Sequence, residues 1–285
     1  MTHPAADVSP EPPLLVLEAG RAERHYWRDL WRYRELLFFL AWRDVKVRYK
    51  QAVLGAAWAL IQPLVTMILF TFVFGKLAHM PSGNLPLAAY PLLVIAGLLP
   101  WQLFSAAFTG AGNSLVSNSH LISKVYFPRL LVPLSSLTVA LVDFAVVVGL
   151  YAVMAAWYHV CPTWHVVFLP LFILLALVIA LGAGLWLTAL TVKYRDFRFI
   201  VPFLLQAGIF ATPVGYRADN LPNWRALLAL NPLTGVIDGF RWCLLGHDFT
   251  LTGSTLLLST AIALLLLASG TRYFRATERT FADII

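Results

Sequence analysis

Six long apolar stretches divide most of the 285-residue chain, at about 53–74, 88–111, 130–157, 166–190, 199–216 and 251–273. At roughly 20 apolar residues per bilayer crossing, each is long enough to span the hydrocarbon core as a helix. The pattern predicts an all-α polytopic membrane protein with six transmembrane helices. Three segments outside these stretches carry shorter helical patterns of their own: 27–50, 117–127 and 217–250.

Composition agrees. Hydrophobic residues make up 60% of the chain and charged residues 12%, whereas soluble domains average about 25% charged. A chain of this length has room for the spans and short loops, which excludes a separate soluble catalytic domain. Lys and Arg are unevenly distributed. Nine lie in 21–50, two are Lys124 and Arg129, three lie in 193–198 and three follow residue 271, so 17 of the 21 fall on one side of a six-span layout. Lys76, Arg217, Arg225 and Arg241 fall on the other. The positive-inside bias therefore puts both termini in the cytoplasm, and the net charge of +7 is explained without a nucleic-acid partner. The expected organisation is a flexible cytosolic tail (1–26), which lacks a signal-peptide pattern, then a cytoplasmic interface helix (27–50) and a six-span domain (51–285).

In 27–50, a helical projection puts Trp27, Leu30, Trp31, Leu37, Phe38, Ala41 and Val45 on one side. Arg28, Arg32, Glu35, Arg43, Lys46 and Lys50 fall on the other. This predicts an amphipathic helix in the membrane interface, with the stems of Arg34 and Arg48 snorkelling to the headgroups. It serves either as a surface anchor or also as a contact for a cytosolic partner. Between the second and third spans, Ser and Asn residues precede Leu121, Ile122, Val125 and Tyr126 at helical spacing, and Pro128 closes the segment. A short amphipathic helix presenting apolar side chains to the cytosol is either a connector or a docking surface. The segment 217–250 holds two apolar halves separated by Asn231-Pro232, neither long enough to cross. It reads as a pair of re-entrant or surface helices, forming a lid over a pathway or a plug between helices.

Aromatic residues near span ends, such as Tyr90, Trp101, Trp157 and Trp164, fit an interfacial belt. Trp58, Phe70, Phe74 and Phe104, with Trp101, are candidates for a conduit on which the C–H faces of sugars would stack; lipid contact or core packing is the ordinary alternative. Asp143 is the single acidic residue well inside a predicted span. A carboxylate there must face the protein interior or a wet cavity, paired with a hydroxyl such as Thr188, bonded across a dimer, or lining the conduit. Cys161 and Cys243 are expected to be independent thiols. His120, His159, His165 and His247 show no metal-ligand spacing, so no metal site is expected.

Several of these residues, taken together, carry a family resemblance. Arg48-Tyr49-Lys50-Gln51 with Leu54-Gly55, Trp58 and Pro63, then Lys124-Val125-Tyr126-Phe127-Pro128-Arg129, then Tyr194-Arg195-Asp196 and Asn231-Pro232, resemble in this order the permease subunits of type-2 ABC exporters for polysaccharides. The similarity runs from about residue 34 to the end. It implies that 27–50 gates the cytoplasmic side, through Arg43, Lys46, Arg48, Tyr49 and Lys50, and borders an ATPase. It implies that 117–127 is the coupling helix docking into that ATPase, through Ser117, Asn118, His120, Leu121, Ile122, Lys124, Val125, Tyr126 and Phe127. It further implies that half-helices at about 223–230 and 233–245 form a periplasmic gate, with Asn231, Pro232, Ile237, Phe240 and Trp242. Trp58, Phe70, Phe74, Trp101, Phe104 and Asp143 are the conduit candidates.

The sequence contains no G-x-x-x-x-G-K-S/T loop, so ATP and its magnesium ion are expected on a partner subunit. The resemblance implies two permeases and two ATPase subunits around a conduit at the permease dimer interface, in the inner membrane of a bacterium, surrounded by lipid and moving a lipid-linked polysaccharide. A membrane glycosyltransferase would need acidic clusters in its loops, where Asp219, Asp238 and Asp248 stand as isolated residues. A secondary transporter would show repeated halves, broken spans or several intramembrane charges. Among cargoes, the long basic lead-in and the extended outer segment favour O-antigen-like chains over capsule or teichoic acid, with lipid or drug export behind.

Overall fold

The computed structural model describes residues 26–50, 53–81, 89–125, 127–161, 163–194, 196–246, 251–278 and 281, with side chains for all of these except 53–56 and 123. Among the described residues the chain is helical and contains no strand. The α-helices run α1 (Tyr26–Arg32), α2 (Arg34–Lys50), α3 (Val53–Phe70), α4 (Tyr90–Ser117), α5 (Ser119–Lys124), α6 (Leu131–Trp157), α7 (Leu169–Lys193), α8 (Phe197–Ala211), α9 (Arg225–Leu230), α10 (Pro232–Leu245) and α11 (Gly253–Glu278). A π-helical turn over Thr71–Leu77 extends α3, and a 3₁₀ turn over Trp164–Phe168 leads into α7.

Among the described residues, five helices are long and apolar enough to cross a membrane: Ala57–Leu77, Tyr90–Ser117, Leu131–Trp157, Trp164–Lys193 and Gly253–Glu278. The stretch 199–216 differs from the prediction. Its helix, α8, has 15 residues. At 1.5 Å per residue that is about 22 Å, short of a hydrocarbon core of about 30 Å. The helix stops because Pro213 disfavours helical backbone at the residue before it, and Thr212 is extended at φ −104°, ψ 138°.

The arrangement centres on α4, which packs against α6, α7 and α10, while α7 also lies along α11 and α2 along α6. In its most apolar window, α4 buries 67% of the residues, against 17% for the first and last crossing helices. That contrast makes α4 the core and leaves α3 and α11 facing outward. Close approach of α7 and α11 depends on glycine: a Cβ on Gly182 would lie 2.6 Å from Leu267 N, and one on Gly270 would lie 2.2 Å from the Gly182 carbonyl. With little hydrophobic drive between helices in lipid, such backbone-to-backbone contact is a main source of association.

Two apolar clusters result. The larger fills the middle of the bundle and the end near α10. The smaller sits at the other end, called here the basic end. It joins Tyr26, Leu40, Leu115, Ile122, Phe127, Leu131, Leu185, Val192, Phe274 and Phe281. It therefore brings the start of α1 and the end of α11 to the same end of the molecule.

Candidate functional site: a clamped helix, a predicted docking corner and a sealed far end

The segment predicted as one amphipathic helix is two helices, broken at Tyr33, and its apolar residues form two stripes. One stripe is turned inward: Tyr26, Leu40 and Ala41 are buried, and Leu30, Tyr33, Leu36 and Leu37 pack against the smaller cluster. The other is turned outward, with Trp27, Trp31, Phe38, Phe39 and Trp42 each more than half exposed. The single apolar face expected from the projection merged the two, because a helix lying between protein and lipid is apolar on both sides.

Polar contacts fix α2 at two points. Toward its middle, Arg43 donates from Nε (3.0 Å) and Nη2 (2.7 Å) to Asp44 Oδ1, and its Nη2 also donates to Asn118 Oδ1. Asn118 in turn donates from Nδ2 to the Ser114 carbonyl at 2.9 Å. Asn118 is the residue between α4 and α5, so Arg43 ties α2 to the corner predicted to dock a partner, called here the docking corner. At the end of α2, Arg48 Nη2 lies 2.6 Å from Asp143 Oδ2, and the Tyr49 hydroxyl donates to Asp143 Oδ1 at 2.6 Å. Burial and the neighbouring carboxylate push the Tyr49 phenol up to about 12, so it stays a donor at neutral pH.

This arrangement corrects two expectations. Asp143 is not solitary: α2 supplies its cation. Thr188, the suggested partner, donates to the carbonyls of Ala111 (2.8 Å) and Gly184 (2.7 Å) instead. Arg48 is an ion-pair partner as well as a half-exposed interfacial residue. Lys46 and Lys50, with Trp42, Val45, Tyr49 and Val142, line an open groove of about 590 Å³ between α2 and α6.

The docking corner is smaller than predicted. The helix α4 continues to Ser117, and α5 covers only 119–124, with extended backbone at Val125. Ser117, His120, Lys124 and Val125 are exposed, Asn118 and Leu121 are half-buried, and Tyr126 lies outside the described residues. Ile122 and Phe127 face inward, 6% and 4% exposed. Of the apolar side chains predicted to face the cytosol, only Val125 is exposed among those described; Ile122 and Phe127 anchor the corner to the bundle. Two residues after Phe127, Arg129 donates from its backbone N–H to Glu278 Oε1 at 3.0 Å and from Nη1 to the Glu278 carbonyl, locking the end of α11 beneath the corner.

At the opposite end, Asn231 divides α9 from α10 as predicted. Its Oδ1 accepts from the Leu233 N–H at 3.0 Å, capping α10, and its Nδ2 donates to Thr212 Oγ1 at 2.8 Å. Pro232 occupies the first helical position, where its missing N–H costs nothing. The helix α10 is packed inside the bundle: Ile237 and Phe240 are 0% exposed, Phe240 meets Phe144 edge-on at 6.0 Å, and Trp242 stacks near His165 at 4.1 Å. Gly246 closes it at φ 83°. In this structure α10 fills space between helices, as a plug does.

The sequence pattern did not single out Arg241. It is 1% exposed and donates to the carbonyls of Tyr216 (2.9 Å) and Val214 (2.7 Å). The Tyr90 hydroxyl donates to the Gly215 carbonyl in between at 2.8 Å. Together these side chains satisfy the backbone of the turn that ends α8. Asp219 and Asp238 are likewise not isolated. They share a cavity of about 20 Å³ with Arg217, Arg225 and Arg241, and Asp219 lies 3.3 Å from Arg217 and 3.6 Å from Arg225. Burial pushes the Asp238 carboxyl up to about 6, against the opposing pull of Arg241.

The aromatic conduit candidates separate. Phe70 meets Phe74 and Phe210, each at 5.4 Å, and Phe74 meets Tyr216 at 5.5 Å, a cluster joining α3 to the end of α8. On α4, Trp101, Phe104 and Phe108 form a ladder, the last two stacked 5.5 Å apart. Trp58 is 64% exposed and joins neither group. Cys161 is exposed and Cys243 buried, with both sulfurs free.

The chain is thus a bundle of apolar helices with a lead-in helix clamped to it at two points. Residues 35–245 match the family model described as ABC-2 type transporter, and the chain belongs to that family. It is 31% identical over 261 residues to the O-antigen export system permease protein RfbA of Myxococcus xanthus, covering 90% of this chain and 98% of that protein. It is 26% identical over 258 residues to RfbA of Klebsiella pneumoniae (88% and 95%), and 23% identical over 203 residues to the polysialic acid transport protein KpsM of Escherichia coli (69% and 76%).

Proposed function

We propose that this protein is the membrane-spanning subunit of an ATP-driven exporter of O-antigen-like, lipid-linked polysaccharide. The observation that carries this reading is the nearly end-to-end similarity, at 31% identity, to a permease named for O-antigen export. Capsular polysaccharide is the second reading, supported by the shorter match to KpsM. Two copies would enclose the conduit, and two ATPase subunits holding ATP and magnesium would drive it. Energy enters at the corner formed by Ser117, Asn118, His120, Lys124 and Val125, with Ile122 and Phe127 transmitting displacement to the bundle. The groove and clamps of α2, with Arg43, Lys46, Arg48, Tyr49 and Lys50, form the inner gate; Asn231, Pro232, Ile237, Phe240 and Trp242 belong to the outer one.

In this reading the protein resides in the inner membrane with both termini in the cytoplasm, and α8 with the turn after it completes a shortened sixth crossing. The shared cluster of Tyr26, Phe274 and Phe281 supports an even number of crossings. The test is deletion of the gene with plasmid complementation. Export predicts loss of surface polysaccharide with internal accumulation of the lipid-linked form, rescued by the intact gene but not by one with α5 disrupted. Unchanged surface polysaccharide would sink the assignment.

A further inference from the structure

The helix α2 joins two polar contacts in one line, the first at the docking corner and the second near the middle of the long apolar helix α6. Asn118, at the α4–α5 corner, accepts from Arg43 Nη2, and Arg43 is braced by Asp44 on its own helix. One and a half turns later Arg48 and Tyr49 both reach Asp143, on α6. Between these points α2 is a single uninterrupted helix, Arg34–Lys50, stiff enough to carry a displacement along its length. Its outward stripe of Phe38, Phe39 and Trp42 is exposed, so within this chain α2 is held on one side only.

The two ends of the line differ in chemistry. At the corner, a guanidinium meets a neutral amide, and both side chains lie near the exposed α5. At the far end, a cation and a phenol share one carboxylate that is 16% exposed within a crossing helix. A carboxylate in that position is costly without a partner, so it strongly favours the arrangement in which α2 lies against α6. Arg48 is 55% exposed, so it can exchange this carboxylate for water or headgroups when α2 moves. Such a pair is strong when closed and still able to open, as a latch requires.

We propose that Asp143 and Asn118 are positioning residues of the transport cycle: Asp143 latches the end of α2 against α6 through Arg48 and Tyr49, and Asn118, through Arg43, transmits movement of the docking corner that opens the latch. The proposal rests on the reading of α5 as the ATPase-docking corner, and concerns what is linked to it rather than which cargo is moved.

The test is a cross-link across the α2–α6 groove in the intact permease–ATPase complex in lipid nanodiscs. Lys50 and Val142 line the two walls of that groove. K50C and V142C, in a background with Cys161→Ser and Cys243→Ala, are joined by a short bifunctional thiol reagent, with and without ATP. With the latch intact, ATP lowers the cross-linking yield. D143N, which removes the charge, shifts the latch about tenfold toward open and lowers the yield without ATP, as loss of one charge-assisted hydrogen bond implies. R48D combined with D143R restores it. N118A keeps the resting yield but loses the response to ATP.

A yield unaffected by D143N, or an ATP response preserved in N118A, overturns the proposal. R48Q offers a second route to the open state should D143N accumulate poorly. No glycan is present in this assay, so its outcome is separate from that of the export reading, which surface polysaccharide decides.

Discussion

The two ends of this molecule solve opposite problems. At the basic end, polar groups connect separate helices while others remain outward: Arg43 reaches Asn118, Arg48 and Tyr49 reach Asp143, and Lys124 and Val125 stay exposed. At the opposite end the polar groups turn inward, with Arg241 enclosed on the carbonyls of Val214 and Tyr216, and α10 filling the bundle. The first leaves charged side chains in reach of whatever lies outside the bundle; the second satisfies its own irregular backbone, as non-helical chain near a membrane must. Position in the bundle, more than residue type, decides which an arginine does.

If this contrast is right, the two largest effects of single changes are comparable in size and fall one at each end, beginning with the sealed end. Arg241→Ala leaves two buried carbonyls without donors, at a cost of roughly 2–5 kcal/mol. Fluorescence-detected size exclusion of the detergent-solubilised protein should show little monodisperse material; a normal profile would mean that the outer turn does not depend on this side chain. Next comes the anchor of the docking corner. Phe127→Ala removes a side chain that is 4% exposed and should cost about 3–5 kcal/mol, lowering the melting temperature and export together.

Lys124→Glu with Val125→Asp should separate the two properties. Surface substitutions typically stay within about 0.5 kcal/mol, so the melting temperature should hold while co-purification of the ATPase falls. A bound ATPase in that variant would remove these side chains from the docking surface.

The smallest effect concerns Asp238. Its carboxyl titrates near 6 when folded and near about 3.9 when unfolded. The native form therefore holds the proton more tightly, and the stability this contributes is full below the unfolded value and lost as pH rises through 6. Asp238→Asn cannot titrate, so its melting temperature relative to the parent should rise between acidic and neutral pH. A constant difference across that range would show that Asp238 is not ionising inside the cavity.

Much of the molecule was legible in the sequence because membrane crossings leave a local signal. Among the described residues, five of the six apolar stretches are helices long and apolar enough to cross a membrane, near the expected places, and Asn231-Pro232 divided two helices as turn chemistry requires. In the stretch 199–216 the apolarity was legible and the helix length was not, because apolarity does not reveal where Pro213 ends a helix or that Arg241 will hold the turn beyond it. The interface helix was only half legible. Its hydrophobic residues were visible, but the inward stripe through Leu40 and the outward stripe through Phe38 are distinguished by where α6 lies. Ile122 and Phe127 were expected at the docking surface and instead hold it in place, since apolarity alone does not say which side of a short helix meets the bundle.

The amino-acid sequence by itself determined that the chain lives in a membrane, roughly where it crosses, which segments interrupt the crossings, and that Asp143 needed company. Each follows from burying apolar side chains and backbone polar groups within one local segment. Tertiary structure alone decided that Asp143's company is Arg48 and Tyr49, the latter 94 residues away, that Asn118 holds Arg43, and that Arg241 closes the outer turn. Those pairings depend on which helices lie side by side, and at the Arg241 turn that depends on Gly97, where a Cβ would lie 2.5 Å from the Val214 carbonyl oxygen and 2.8 Å from Arg241 Nη2.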